Sequence, residues 1–163
     1  MKSLLNKRKE IFLSLAIIWM LVIFVFSAQK SEESTKLSNG AGRYVVTTVN
    51  EVMDKGWDEE TVEEYALEID HPVRKLAHAT EYAILALLWF GALGSKPQAV
   101  VIAFLYACTD EFHQLFVPGR AGLFVDVLID TSGAAVAMLV VWLVCGVNKA
   151  LNKHRCFTTK YVE

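Results

Sequence analysis

The chain has 163 residues, 54% of them hydrophobic, a mean hydropathy of +0.36 and a formal net charge of −2. That is one domain's worth of material without the basic excess of a nucleic-acid binder, so no nucleic-acid partner is expected. Its apolar residues cluster in long runs rather than being scattered, which marks a membrane protein.

Residues 1–10 hold Lys2, Lys7, Arg8 and Lys9, and Ile11 to Ala28 follows without a charge across 18 residues. A cleaved signal peptide shares the basic start, but its apolar core usually stops at about 7–15 residues and ends in a small-x-small site, where this chain has Phe26. The segment is therefore read as a retained anchor. Three more apolar stretches, Val73 to Leu93, Gln98 to Val117 and Leu123 to Val147, can each cross a core about 30 Å thick at about 1.5 Å per residue. Only the first of the four is free of charge, so the competing reading makes the others buried helices of a soluble domain. A soluble domain with this much Leu, Val, Ile and Phe would not need Ile11 to Ala28 as well.

The basic residues set the orientation. The N-terminal tail, the Gly94-Ser95-Lys96-Pro97 turn and the C-terminal tail carry Lys2, Lys7, Arg8, Lys9, Lys96, Lys149, Lys153, Arg155 and Lys160, against Glu10 and Glu163. By the positive-inside rule all three face the cytoplasm. The expected layout is a basic tail at 1–10, a membrane domain at 11–147 and a second basic tail at 148–163. Within the domain the spans are about 11–28, 73–93, 98–117 and 123–147, in a bacterial cytoplasmic membrane with both termini cytoplasmic and residues 29–72 outside.

That external segment has 11 acids against Lys30, Lys36, Arg43 and Lys55. Val45, Val46, Val49, Val52 and Met53 recur at helical spacing, as do Val62, Tyr65, Ala66 and Ile69 after Asp58, a candidate N-cap. Gly56 separates the two patterns. They predict two short amphipathic helices that lie on the outer membrane surface or cap the bundle, the alternative being a solvated acidic loop. Asp70-His71-Pro72 reads as the start of the second span, with Pro72 at the first helical position.

The four predicted spans carry their polar residues at one end. Running inward, Lys75, His78, Glu81 and Tyr82 share one face of the second span. Asp110, Glu111, His113 and Gln114 end the third, Asp126 and Asp130 begin the fourth, and Ser27 and Gln29 close the first. The inner halves, Ala83 to Phe90, Ala99 to Phe104 and Ala134 to Val144, are apolar. Ionisable groups in a span cost roughly 2.5–3.5 kcal/mol each on insertion scales, so this layer is a candidate site by default. One or two polar residues would suffice to hold helices together. The expectation is a polar cavity open to the outside, with Lys75 and Arg120 neutralising some of the carboxylates.

Three roles stand open for His78 and His113. With Asp110, Glu111, Asp126 or Asp130 they have the donor chemistry for Zn, Mn or Fe, although HExxH is absent. They also suit general acid/base work or a proton relay, or are hydrogen-bonded structural groups. The cofactor is thus undetermined, a divalent metal being one option. Cys108, Cys145 and Cys156 form no CxxC pair, which argues against a disulfide framework and a thiolate metal site. Gly119-Arg120 either offers backbone N–H groups and a guanidinium to a phosphate or anchors the helix end at headgroup level.

At these residues the chain resembles the VanZ-like family of small bacterial membrane proteins. The resemblance runs from Phe26-Ser27-Ala28-Gln29 through Arg74-Lys75-Leu76-Ala77-His78 and Glu81-Tyr82 to Asp110-Glu111-Phe112-His113-Gln114, Val117-Pro118-Gly119-Arg120 and Asp126, Asp130 and Gly133. It implies a multi-span envelope protein, related to one that gives low-level teicoplanin resistance from within a glycopeptide-resistance cluster. It supplies no biochemical activity.

The sequence thus predicts an all-α membrane protein, a bundle of four transmembrane helices with two short external amphipathic helices. Its expected partners are membrane lipids and an amphiphilic, anionic ligand such as a lipid-linked phosphate or a lipoglycopeptide, and oligomers are allowed. If it is an enzyme, it is a membrane-embedded hydrolase or transferase acting at a phosphate. The working residues would be Lys75, His78, Glu81, Asp110, Glu111, His113, Asp126 and Asp130, with Ser27, Gln29, Tyr82, Gln114 and Arg120 binding the ligand. The rival readings are a proton-coupled lipid transporter or flippase and a non-catalytic interaction protein.

Overall fold

The uncharged run from Ile11 forms most of the first helix in the computed structural model, which describes residues 2–29 and 31–159, and side chains over 6–29 and 38–149. Five helices follow in order: α1 (Lys2–Ser27), α2 (Ser31–Val52), α3 (Glu59–Leu93), α4 (Lys96–Gln114) and α5 (Phe124–Thr159). Among the described residues there is no strand. Three of the five, α1, α3 and α5, are long and apolar enough to cross a membrane. Their outward faces carry large exposed apolar side chains, among them Ile17, Leu21 and Val25 of α1 and Leu139, Trp142 and Leu143 of α5. Such faces suit lipid tails, which solvate leucine as well as a protein core does.

The core is a set of narrow seams. Ala16, Ile23 and Ser27 line the buried side of α1, Ala99, Ala103 and Ala107 that of α4, and Val127, Ala134 and Met138 that of α5; Ile23 and the α4 and α5 residues form one core with Tyr82, Leu85 and Ala86 of α3. Alanines at every fourth position of α4 let backbones approach closely, the usual mode of packing between membrane helices. Gly133 takes this furthest: a Cβ there would lie 2.0 Å from the Ala79 carbonyl oxygen.

The second external helix and the expected start of the second span prove to be one element. Asp58 caps α3, its side chain accepting from the Thr61 N–H at 2.9 Å, and hydrogen bonding from the Thr61 side chain, then from this N–H, holds the carboxyl below the usual aspartate range. Glu59 and Glu60 complement the dipole of the first turn. The helix then runs through Pro72 to Leu93, where Gly94, at φ 72°, donates its N–H to the Phe90 carbonyl at 2.8 Å. Proline removes one helical hydrogen bond, but here tertiary packing outweighs that loss. α2 runs antiparallel along the first half of α3, with Val46 against Val62 and Ala66, and the Asn50 side-chain amide donating to the Trp57 carbonyl and accepting from the Trp57 N–H.

The seam of α2 also departs from expectation. Val45, Val52 and Met53 are exposed, and the buried positions are Ser38, Gly42 and Val46, four residues apart. A Cβ on Gly42 would come within 3.1 Å of the Ala66 carbonyl oxygen, so glycine permits this close contact. At the other end, α5 continues to Thr159, into what was expected to be a basic tail from residue 148.

Candidate functional site

The seams change character at one end of the bundle. On α4 the buried alanines give way to Asp110, Glu111 and Gln114, and on α5 Asp130, only 2% exposed, stands in the seam between Val127 and Ala134. Lys75, His78 and Glu81 of α3, Ser27 of α1 and the turn at 115–123 meet them there.

Two cavities share this end. The first, about 190 Å³, lies among α3, α4, α5 and the turn, with Arg74, Lys75, His78, Glu111, Arg120, Asp126 and Asp130 on its walls. His71, Gln114 and Gly119 complete its polar lining. The second, about 300 Å³, lies among α1, α2 and α3, with Phe26, Gln29, Ser38, Ala41, Val73, Ala77 and Glu81 around it. Arg74, His78 and Arg120 belong to both and form the wall between them.

Most charges on these walls are already engaged. Lys75 Nζ lies 2.7 Å from Asp126 Oδ1, and Arg74 Nη2 lies 2.6 Å from Asp70 Oδ2. Asp70 also accepts from the Ser38 hydroxyl, which ties α2 to the rim. Glu111 Oε2 accepts from the Leu123 N–H at 2.9 Å and so holds the turn in place. His78 Nδ1 faces Glu81 Oε2 at 3.3 Å, an i,i+3 pair.

Arg120 differs. Its Nε donates to the Gln29 carbonyl at 3.3 Å, and no hydrogen bond or ion pair among the described residues engages its two Nη nitrogens. Half-burial, and then the neighbouring Arg74 guanidinium, lower its pKa from the ordinary arginine value. Arginine stays protonated regardless. Its charge therefore stands beside a like charge with open donors, which favours an anion in the wall between the cavities.

The expected single pocket is thus two adjoining cavities over a buried layer. Lys75, His78, Glu111, Gln114, Arg120, Asp126 and Asp130 line the first, while Gln29 and Glu81 line the second. Ser27, Tyr82 and Asp110 lie buried below. Gln114 Nε2 donates to Ser27 Oγ at 3.1 Å and approaches Asp110 Oδ2 at 3.4 Å, linking α4 to α1. Asp110 Oδ1 and the Tyr82 hydroxyl have no hydrogen-bond partner. His113 lines neither cavity; its ring packs on Phe24 of α1 at 4.6 Å between centroids, and its Nδ1 is buried without a partner.

Among the described residues, no three His, Cys, Asp or Glu side chains are grouped so as to hold a metal ion. Of the four candidate carboxylates, Asp126 is turned to Lys75 and Glu111 to the Leu123 N–H. Reading the sequence for this site misses His71, Arg74, Asp70 and Ser38. The available signal was the i,i+4 spacing of Asp70 and Arg74, hidden by taking Pro72 as a helix start.

The model of the VanZ/LLP1 family matches residues 12–145, a stretch that includes every one of these cavity walls. No curated protein and no solved structure matches the chain.

Proposed function

The chain belongs to the VanZ/LLP1 family, and from its geometry we propose that four helices cross the bacterial cytoplasmic membrane and that their outer ends bind the anionic group of an amphiphile. In this reading both termini are cytoplasmic and α2 is external. α4 fails as a span on apolarity because its last turn is polar, yet its 19 residues reach ~28 Å. The short Gly94-Ser95 link returns it along α3 and packs it against α5. Lys96 at that link and the basic residues before Ile11 then share the cytoplasmic side.

The open Nη donors of Arg120, beside Arg74 in the wall between two cavities, carry the ligand proposal. A phosphate on a lipid or the acidic, acylated body of a teicoplanin-like lipoglycopeptide has the matching chemistry. If the ligand is processed, His78 is the group placed to move a proton: it lines both cavities, and Glu81 facing Nδ1 leaves Nε2 for the ligand. Beneath the site, Tyr82, Leu85, Ala86, Ala103 and Ala107 are fully buried, so the packing favours a binding site over a transport path.

Two measurements test this. In a background without native cysteines, Thr48→Cys should label from outside the cell and Ser95→Cys should not; the opposite pattern would move the site to the cytoplasm. Purified protein should bind a short-chain lipid phosphate, and Arg120→Gln should weaken that binding about tenfold or more, the loss of one charge-assisted contact. Equal affinities in the two proteins would remove the anion site.

A further inference from the structure

We infer that the ligand is a lipid phosphate held in two parts, with its phosphate at the Arg74–Arg120 wall and the first carbons of its tail in the cleft lined by Phe26, Ala41, Val73 and Ala77. This rests on the anion site proposed above and adds where the tail goes. Both cavities reach the same wall, so a group bound there touches a charged chamber on one side and, on the other, a cleft whose surface is mostly apolar and which Gln29, Ser38 and Glu81 also border. The helix itself sets this up. Val73 and Ala77 repeat at i,i+4 on α3, directly beside Arg74 and His78 at the same spacing, so one helix presents adjoining apolar and cationic strips.

The cleft is open on its flank. Ala41 and Ala77 are exposed, and Phe26, in the last turn of α1, is 44% exposed. Small side chains at two of the four apolar positions leave the room that larger ones would fill. Its volume of about 300 Å³ is at the lower end of small-molecule sites, enough for the start of one chain. With α1 ending at Ser27, the cleft stands at the level of the outer leaflet in the four-span arrangement, and the rest of the tail leaves sideways into lipid. A free phosphate meets only the wall; a lipid phosphate meets wall and cleft together.

Chain length is the readout. The full chain in detergent is titrated with inorganic phosphate and with butyl, hexyl and octyl monophosphate, in wild type, Ala77→Trp, Ala41→Trp and Arg120→Gln. Burying a methylene strengthens binding roughly fourfold, so affinity should climb with the first carbons in wild type. Either tryptophan, placed on a different helix, should flatten that slope. Partition into the micelle is common to all four proteins, so their difference is what counts. Arg120→Gln should instead lower the whole series, inorganic phosphate included, with the slope kept. If both folded tryptophan variants retain the wild-type slope, the tail is not in the cleft and the inference falls while the anion site stands. If Arg120→Gln leaves inorganic phosphate unaffected, the underlying anion site fails first.

Discussion

The seam of α4 has two halves made to the same geometry from opposite chemistry. Ala99, Ala103 and Ala107 fill the N-terminal half, Asp110, Glu111 and Gln114 the C-terminal half, and all six are buried. Alanine lets helices touch at no electrostatic cost, whereas in the four-span arrangement proposed above acids at that depth cost roughly 2.5–3.5 kcal/mol each on insertion scales. Packing could have been achieved by continuing the alanines. The C-terminal half keeps its acids at and beneath the first cavity, Glu111 on its wall and Asp110 buried below, and the alanine half has none to keep.

Moving an acid across that boundary is the strongest way to break the contrast. Ala103→Asp places an unpartnered carboxylate among Tyr82, Leu85 and the neighbouring alanines, all fully buried. We expect a loss of about 3 kcal/mol or more, seen as loss of the folded species in detergent thermal unfolding. Wild-type stability would mean that the alanine half is hydrated and that the contrast is one of sequence alone.

Next comes the close approach of α3 and α5, where the two halves meet. Gly133→Ala drives a Cβ into the Ala79 carbonyl oxygen, one residue from His78. Relief requires the helices to separate, costing about 1–3 kcal/mol. Because the same movement would spread Lys75 from Asp126, ligand affinity should fall with stability. Unchanged unfolding would show that the helices are less tightly packed than their seams imply.

The polar half can be sharpened by a double-mutant cycle on Lys75 and Asp126, 2.7 Å apart and about a quarter to a third exposed. Lys75→Met and Asp126→Asn each leave the other charge unmatched, and the double variant should recover about 1–2 kcal/mol of their summed cost. Additive losses would place both side chains in water rather than against each other.

Legibility followed the same division. The helices were readable where one local pattern dominated: an uncharged run in α1, an apolar run in α4, an Asp58 cap at the start of α3 and the Gly94-Ser95-Lys96-Pro97 turn after it. Pro72 misled because a local rule placed a helix start where α2, packed through Gly42 and Val46, holds the helix continuous. The polar end of the bundle was readable too, since charge in apolar sequence is conspicuous. Which polar group faces which cavity was not, because a helix places residues one apart about 100° from each other and only tertiary packing decides which side is enclosed. Arg74 and Lys75 are such neighbours, and both line a wall that the sequence assigned to one of them.

The smallest effect is expected where the sequence promised a large one. His113 and His78 were equivalent candidates in the sequence, yet His78 lies on both cavities while His113 packs against Phe24 with a buried, unpartnered Nδ1. A buried polar atom without a partner gains nothing from its polarity, so replacing the ring by an apolar one of similar shape is nearly neutral or stabilising. His113→Phe should therefore keep the aromatic contact, shift unfolding by no more than about 0.5 kcal/mol, and leave lipid-phosphate affinity within about twofold, a change of ~0.4 kcal/mol. His78→Gln keeps a hydrogen-bonding side chain but loses the Glu81-facing imidazole, and should remove any turnover that the protein performs on such a ligand. Should His113→Phe lose binding or turnover as completely as His78→Gln does, the site extends past Gln114 to the α1–α4 contact, and the partition between a polar wall and a packed floor has to be redrawn there.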